Sequence, residues 1–111
     1  KWFHQSFDTY KGSHPLSTRM SLELFREYLA RPPLPVHAGT VRYLKEVGAW
    51  TEQDDKWNQQ AIEKTDSWMA ARQAALDEAQ ERGIKPDAND EHFMAIVKKH
   101  KQGLEGFRTR L

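Results

Sequence analysis

The stretch from Thr51 to about Arg82 constrains the fold more than any other part of the chain. Thr51 is followed by Glu52, Asp54 and Asp55. A side-chain hydroxyl accepts hydrogen bonds from free helix amides, and carboxylates are favoured at the positive end of a helix dipole. Apolar side chains then recur at helical spacing: Trp57, Ala61, Trp68, Ala71, Ala75 and Ala79. We therefore predict one long helix, whose alanines allow a neighbouring helix to approach closely.

A second helix is predicted after a turn. Gly83 suits a left-handed C-terminal cap, Ile84 is placed for the apolar contact that accompanies such caps, and Pro86 prevents continuation. Asn89 or Asp90 then begins the last helix. Its inner face comprises Phe93, Ile96, Val97 and Leu104.

The first residues carry aromatic side chains at helical spacing. Trp2, Phe3, Phe7 and Tyr10 form a stripe that Gly12 is predicted to end as a cap. We expect this stripe to pack into the core rather than to stack on a ligand. In an excised segment, part of it would instead face a missing partner or a second copy.

A further helix follows, with Ser17, Thr18 or Ser21 as its cap. Arg31-Pro32-Pro33 is predicted to end it. Its narrow apolar stripe comprises Leu22, Phe25 and Leu29.

The stretch from Leu34 to Trp50 predicts a short helix that begins at His37 and closes at Gly48. Its apolar face comprises Val41, Leu44, Val47 and Tyr43. A helix of about ten residues is marginal alone in water, so its neighbours must stabilise it.

The fold class that follows is all-α, with about five helices including one long helix. No segment alternates with period two for long enough to predict a strand. At 111 residues, the chain is at most one domain. We divide it into a helical segment, 1–50, and a long helix with a C-terminal helix, 51–111. The first residue is Lys1, from which we expect a processed, trimmed or excised piece of a longer protein.

Composition and spacing exclude several function classes. A net charge of +1 predicts no general attraction to nucleic acid, and the absence of cysteine excludes thiolate chemistry. The histidines lack the spacing of a metal site, and no strained serine elbow or glycine-rich phosphate loop is present. Asp54 and Asp55 are predicted to be solvated. We therefore predict no enzyme, no metal and no cofactor.

One run of residues resembles a known family. Leu34-Pro35-Val36-His37-Ala38-Gly39, followed by Val41-Arg42-Tyr43 and Lys45-Glu46-Val47-Gly48, is similar to the C-terminal signature of TAXI-type solute receptors of TRAP transporters. Ala38 replaces the customary proline, and Leu44 replaces one of two aromatic residues. His14-Pro15-Leu16 extends the resemblance upstream, and it fades after about Trp57.

The resemblance implies a periplasmic receptor with two α/β lobes. Such a receptor captures a small organic anion or amino acid and delivers it to membrane transporter subunits. On this reading the chain is the C-terminal helical segment of the receptor, and most ligand contacts lie upstream.

The candidate ligand-binding residues are His37, Gly39, Arg42 and Tyr43. The His37 imidazole either caps the helix that it begins or marks an anion-facing helix start. In the second case Ala38 and Gly39 leave backbone amides open, and Arg42 adds charge. Gly39 permits the close approach of another backbone or of a ligand.

Two other functions stay open. The run Thr40–Gly48 also resembles the recognition helix of MerR-type regulators, although the Pro-rich turn before it is long for a helix-turn-helix. The third possibility is a helical oligomerisation module. It is favoured if the Trp2–Tyr10 stripe and the Trp57–Ala79 line are both exposed.

Overall fold

The computed structural model describes residues 1–29 and 33–107, and these residues form helices without any strand. This confirms the predicted all-α fold with one long helix. The predicted helix stop at Arg31-Pro32-Pro33 lies outside the described residues except for Pro33. The helices are α1 (Trp2–Gln5), α2 (Phe7–Tyr10), α3 (Leu22–Leu29), α4 (Ala38–Glu46), α5 (Glu52–Glu81) and α6 (Glu91–His100), with a 3-10 helix at Ser17–Met20.

The chain forms two compact units. The first unit comprises Lys1–Asn58 together with Phe107, and the second unit comprises Gln59–Gly106. Their boundary lies within α5. The segment boundary that we predict at residues 50 and 51 lies between α4 and α5.

The first unit has a small apolar core around α4. Leu29, Leu44 and Trp50 are buried in one cluster, and Leu44 is only 1% exposed. Gly48 has a φ of +69°, and the Ala49 amide donates to the Leu44 carbonyl over 2.8 Å. Because a left-handed residue satisfies the last carbonyls of a helix, Gly48 closes α4 as predicted.

Polar groups also hold the first unit together. The side chain of Asp54 is 0% exposed, and its Oδ2 accepts hydrogen bonds from Arg26 Nη2 over 3.0 Å and from the amide and hydroxyl of Thr51, both over 2.8 Å. The prediction that Asp54 is solvated is therefore wrong. Its partner Arg26 belongs to α3, so the residues next to Asp54 in sequence gave no indication of burial.

A second buried polar side chain, Asn58, fixes the segment that leads into α4. Asn58 is 8% exposed. Its Oδ1 accepts from the Val36 amide over 2.6 Å, and its Nδ2 donates to the Val36 carbonyl over 3.4 Å. These bonds satisfy backbone groups that no helix or strand uses, so they hold the chain in place just before His37.

The second unit is a helical hairpin with an alanine-rich contact. Ala75, Ala79 and Ile96 are its buried cluster. Gly83 has a φ of +66°, and the Ile84 amide donates to the Ala79 carbonyl over 2.8 Å. These contacts confirm the predicted Gly83 cap and the inner position of Ile96.

The N-terminal aromatic stripe differs from its prediction. Trp2 and Phe3 are 64% and 57% exposed, so the prediction that they pack into the core is wrong. Helices α1 and α2 have only four residues each and are separated at Ser6. Helices of this length are too short to present a continuous face to a core. The rings of Trp2 and Tyr10 stack on each other instead, with centroids 5.9 Å apart. Gly12 is not in the left-handed conformation that the predicted cap requires.

Candidate functional site

A cleft of about 580 Å³ lies within the first unit at the start of α4. Its volume falls in the range of small-molecule sites. We call this feature the α4 cleft. Its apolar wall comprises Phe3, Met20, Leu22, Phe25 and Leu44, and its polar lining comprises Lys1, His4, Arg19, His37, Thr40 and Tyr43, with Gly39 between them.

The charges that line the α4 cleft are of one sign. Lys1 and Arg19 are cationic, and no aspartate or glutamate of the described residues lines the cleft. A concave, partly apolar surface with convergent positive charge favours an organic anion over a cation.

His37 is the N-cap of α4. Its Nδ1 accepts a hydrogen bond from the Gly39 amide over 3.1 Å, and its carbonyl accepts from the amides of Thr40 and Val41 over 2.9 and 3.1 Å. Of the two alternatives for His37, the structure shows the cap, because the imidazole occupies the Gly39 amide that an anion-facing helix start would leave open. Since Nδ1 accepts, a neutral His37 carries its proton on Nε2 and can donate from that atom.

Gly39 makes this cap possible. A Cβ atom at Gly39 would lie 3.2 Å from His37 Nδ1 and 3.3 Å from Cε1, which is tighter than normal van der Waals contact. The sequence predicts the close approach of another backbone or of a ligand at Gly39, whereas the neighbour among the described residues is the His37 ring. A larger residue there would require the imidazole to shift by a few tenths of an ångström.

Tyr43 connects α4 to the N-terminal helix. Its hydroxyl lies 2.8 Å from His4 Nδ1, and the two rings are 6.0 Å apart at the edge-on geometry that aromatic pairs prefer. Lys1 also reaches α4, where its ammonium forms an ion pair with Glu46 that raises the pKa of Lys1. These contacts position three side chains of the cleft, and Glu46 neutralises the charge of one of them.

The two arginines near α4 differ in position. Arg42, which we predict as a ligand contact, is exposed and does not line the α4 cleft. Arg19, which sequence reasoning missed, lies on the 3-10 helix and does line it. Within the described residues, the Arg19 guanidinium has no hydrogen bond or ion pair. The cleft therefore contains His37, Gly39 and Tyr43 of the predicted set, and Arg19 in place of Arg42.

Sequence spacing alone gives no signal for Lys1, His4 or Arg19. His4 and Tyr43 are 39 residues apart, and Lys1 and Glu46 are 45 apart. Such pairs meet only when the chain folds back on itself, whereas periodicity identifies neighbours three or four residues apart.

The second unit contains a different charged cluster. Glu78 accepts hydrogen bonds from Lys99 over 2.8 Å and Arg82 over 3.2 Å, and its Oε2 lies 2.7 Å from His100 Nε2. Hydrogen bonds from Lys99, then from His100, lower the pKa of Glu78 to about 2. The cluster joins the end of α6 to α5, and we assign it a structural role.

The part of the chain that the structure describes lacks two features. No group of three or more histidine, aspartate or glutamate side chains lies close enough together to hold a metal ion. None of the described helices combines the length and apolar character that a membrane crossing requires.

Comparison of the chain with protein-family models, with curated proteins and with solved structures finds no match. The resemblance of the Leu34–Gly48 run to TAXI-type receptors therefore stays a prediction. Any functional proposal rests on that run and on the chemistry of the α4 cleft.

Proposed function

We propose that this chain is the C-terminal portion of a periplasmic solute receptor that delivers a small carboxylate or amino acid to a TRAP-type secondary transporter. The observation that carries the proposal is the α4 cleft. Three residues of the receptor-like run, His37, Gly39 and Tyr43, lie at one concave surface with Arg19, and no carboxylate among the described residues lines it.

The chemistry of the cleft supports an anionic solute. Arg19 offers a planar guanidinium, which hydrogen-bonds a carboxylate through two parallel N–H groups. The Nε2 of His37 adds a donor whose orientation is fixed by the bond from Gly39 to Nδ1. Because the His37 donor is preorganised in this way, it lowers the entropy cost of binding.

The proposal is tested by locating the protein in its source cells. Periplasmic and cytoplasmic fractions are separated and probed with an antibody against this chain, with known markers of each compartment as controls. A periplasmic band well above 13 kDa is expected for a two-lobed receptor. A cytoplasmic band near 13 kDa would overturn the proposal, and salt-dependent DNA binding would then test the MerR-like alternative.

One observation favours a second candidate, a helical oligomerisation module. The sequence favours such a module if the Trp2–Tyr10 stripe and the Trp57–Ala79 line are both exposed. Trp2 and Phe3 of the stripe are exposed on the first unit. The line does not meet the condition, because its alanines are buried within the second unit: Ala71, Ala75 and Ala79. Sedimentation equilibrium of wild type and of the Trp2→Ala variant tests this candidate, which predicts a dimer that the substitution dissociates.

A further inference from the structure

We infer that the α4 cleft selects an organic acid with one carboxylate and an apolar body, such as an arylalkanoate, over dicarboxylates and amino acids. This inference rests on the proposed function and names the chemical class of the solute. It follows from a count of the uncommitted charges in the cleft and from the character of its wall.

The charge count favours a single carboxylate. Of the two permanent cations that line the cleft, Lys1 is already paired with Glu46, and only Arg19 has no ion pair within the described residues. Each histidine has one ring nitrogen occupied, His4 by the Tyr43 hydroxyl and His37 by the Gly39 amide. One free guanidinium matches one carboxylate, and a second carboxylate would lose its hydration without gaining an equivalent partner.

The absence of a carboxylate in the lining disfavours amino acids. An α-ammonium group needs a negative or strongly polar acceptor to replace its water. Among the described residues, no aspartate or glutamate lines the cleft. An amino acid would therefore bring a desolvated cation close to Arg19.

The wall favours an apolar body. Phe3, Met20 and Phe25 line the cleft and are 57%, 44% and 41% exposed. When a ligand removes this exposed apolar surface from water, the free energy of the complex is lowered. Leu44 also lines the cleft and is 1% exposed. Aromatic and thioether side chains also adapt well to an aromatic ring.

The test uses the full chain and four related compounds, measured by isothermal titration calorimetry at one pH and ionic strength. They are 3-phenylpropionate, its neutral amide, phenylalanine and succinate. The amide removes the charge, phenylalanine adds an ammonium group, and succinate replaces the apolar body with a second carboxylate. We expect 3-phenylpropionate to bind at least about tenfold more tightly than each of the others. The amide loses a hydrogen bond to a charged group, phenylalanine buries an ammonium group without an acceptor, and succinate loses the apolar contact.

Two variants assign the binding to the cleft. Arg19→Gln should weaken the binding of 3-phenylpropionate by about tenfold. Arg42→Gln is the matched control, because Arg42 is exposed outside the cleft, and it should change the affinity less than about twofold.

Three results would overturn the inference. They are equal or tighter binding of phenylalanine or succinate, equal loss of affinity in both arginine variants, and no binding of any compound. The last result would mean that the cleft does not select the solute by itself and that the contacts expected upstream of this chain are required. Arg19-dependent binding of phenylalanine or succinate would still support an anion receptor. The compartment of the protein tests the proposed function separately, so the two failures are distinguishable.

Discussion

The two units of this chain are stabilised in different ways. The second unit pairs α5 with α6 through small and aliphatic side chains, and its ion pairs lie near the surface. The first unit joins short helices through a buried carboxylate, a buried amide and one tryptophan. The α4 cleft belongs to this first unit. The comparison suggests that polar contacts between residues distant in sequence position the site, whereas the helical hairpin depends on local periodicity.

The largest loss of stability is expected from Trp50→Ala in the first unit. Trp50 is 8% exposed, and its Nε1 donates to Asp55 over 2.9 Å. Removing a buried tryptophan should lower the free energy of unfolding by about 4 kcal/mol. Urea denaturation measures it, with Trp2→Ala as the control because Trp2 is 64% exposed. An unchanged free energy of unfolding would mean that α4 does not depend on this burial.

Asp54→Ala should have the next largest effect. It leaves the Arg26 guanidinium without its buried partner and uncaps the start of α5 at Thr51. We expect a loss of about 3 kcal/mol, seen as faster amide hydrogen exchange in α3 and α4 than in α6. Asp66→Ala, at an exposed carboxylate of the same helix, should change stability by less than about 0.5 kcal/mol. Equal effects of the two substitutions would remove the distinction between the units.

Ile96→Ala is the corresponding change in the second unit. Ile96 is 2% exposed against Ala75 and Ala79, and small alanine neighbours permit some collapse of the cavity. The expected loss is about 2 kcal/mol, with faster hydrogen exchange in α6. Met94→Ala on the same helix, at a side chain 42% exposed, is the control. Faster exchange confined to α4 would contradict the assignment of Ile96 to the second core.

The smallest effect concerns the Glu78 cluster and pH. Because folding lowers the pKa of Glu78 from 4.5 to about 2, this group stabilises the folded state above pH 4.5, and the stabilisation is lost as the pH falls toward 2. Glu78→Gln should remove this part of the pH dependence. Acid titrations of stability for wild type, Glu78→Gln and the exposed-site control Glu81→Gln measure it. Identical slopes for all three proteins would contradict the assigned role of Lys99 and His100.

The sequence predicts the second unit well because its determinants are local. The left-handed Gly83 and the spacing of Ala75, Ala79 and Ile96 act within a few residues or repeat regularly. In the first unit, the prediction that the Trp2–Tyr10 stripe packs into the core is wrong for Trp2 and Phe3, because residue spacing does not reveal that the helix breaks at Ser6.

The first unit is less predictable because its determinants are distant in sequence. The burial of Asp54 depends on Arg26, and that of Asn58 depends on Val36, 22 residues away. For the same reason, the sequence identifies His37, Gly39 and Tyr43 but not Arg19 or His4. Charge alone cannot distinguish Arg19 in the cleft from Arg42 outside it.

The most direct test of the account is hydrogen exchange of the whole chain with and without saturating 3-phenylpropionate. The account predicts slower exchange at amides of α3, α4 and the 3-10 helix, and no change in α6. Slower exchange in α6 alone, or no change anywhere, would contradict the claim that the first unit carries the binding site.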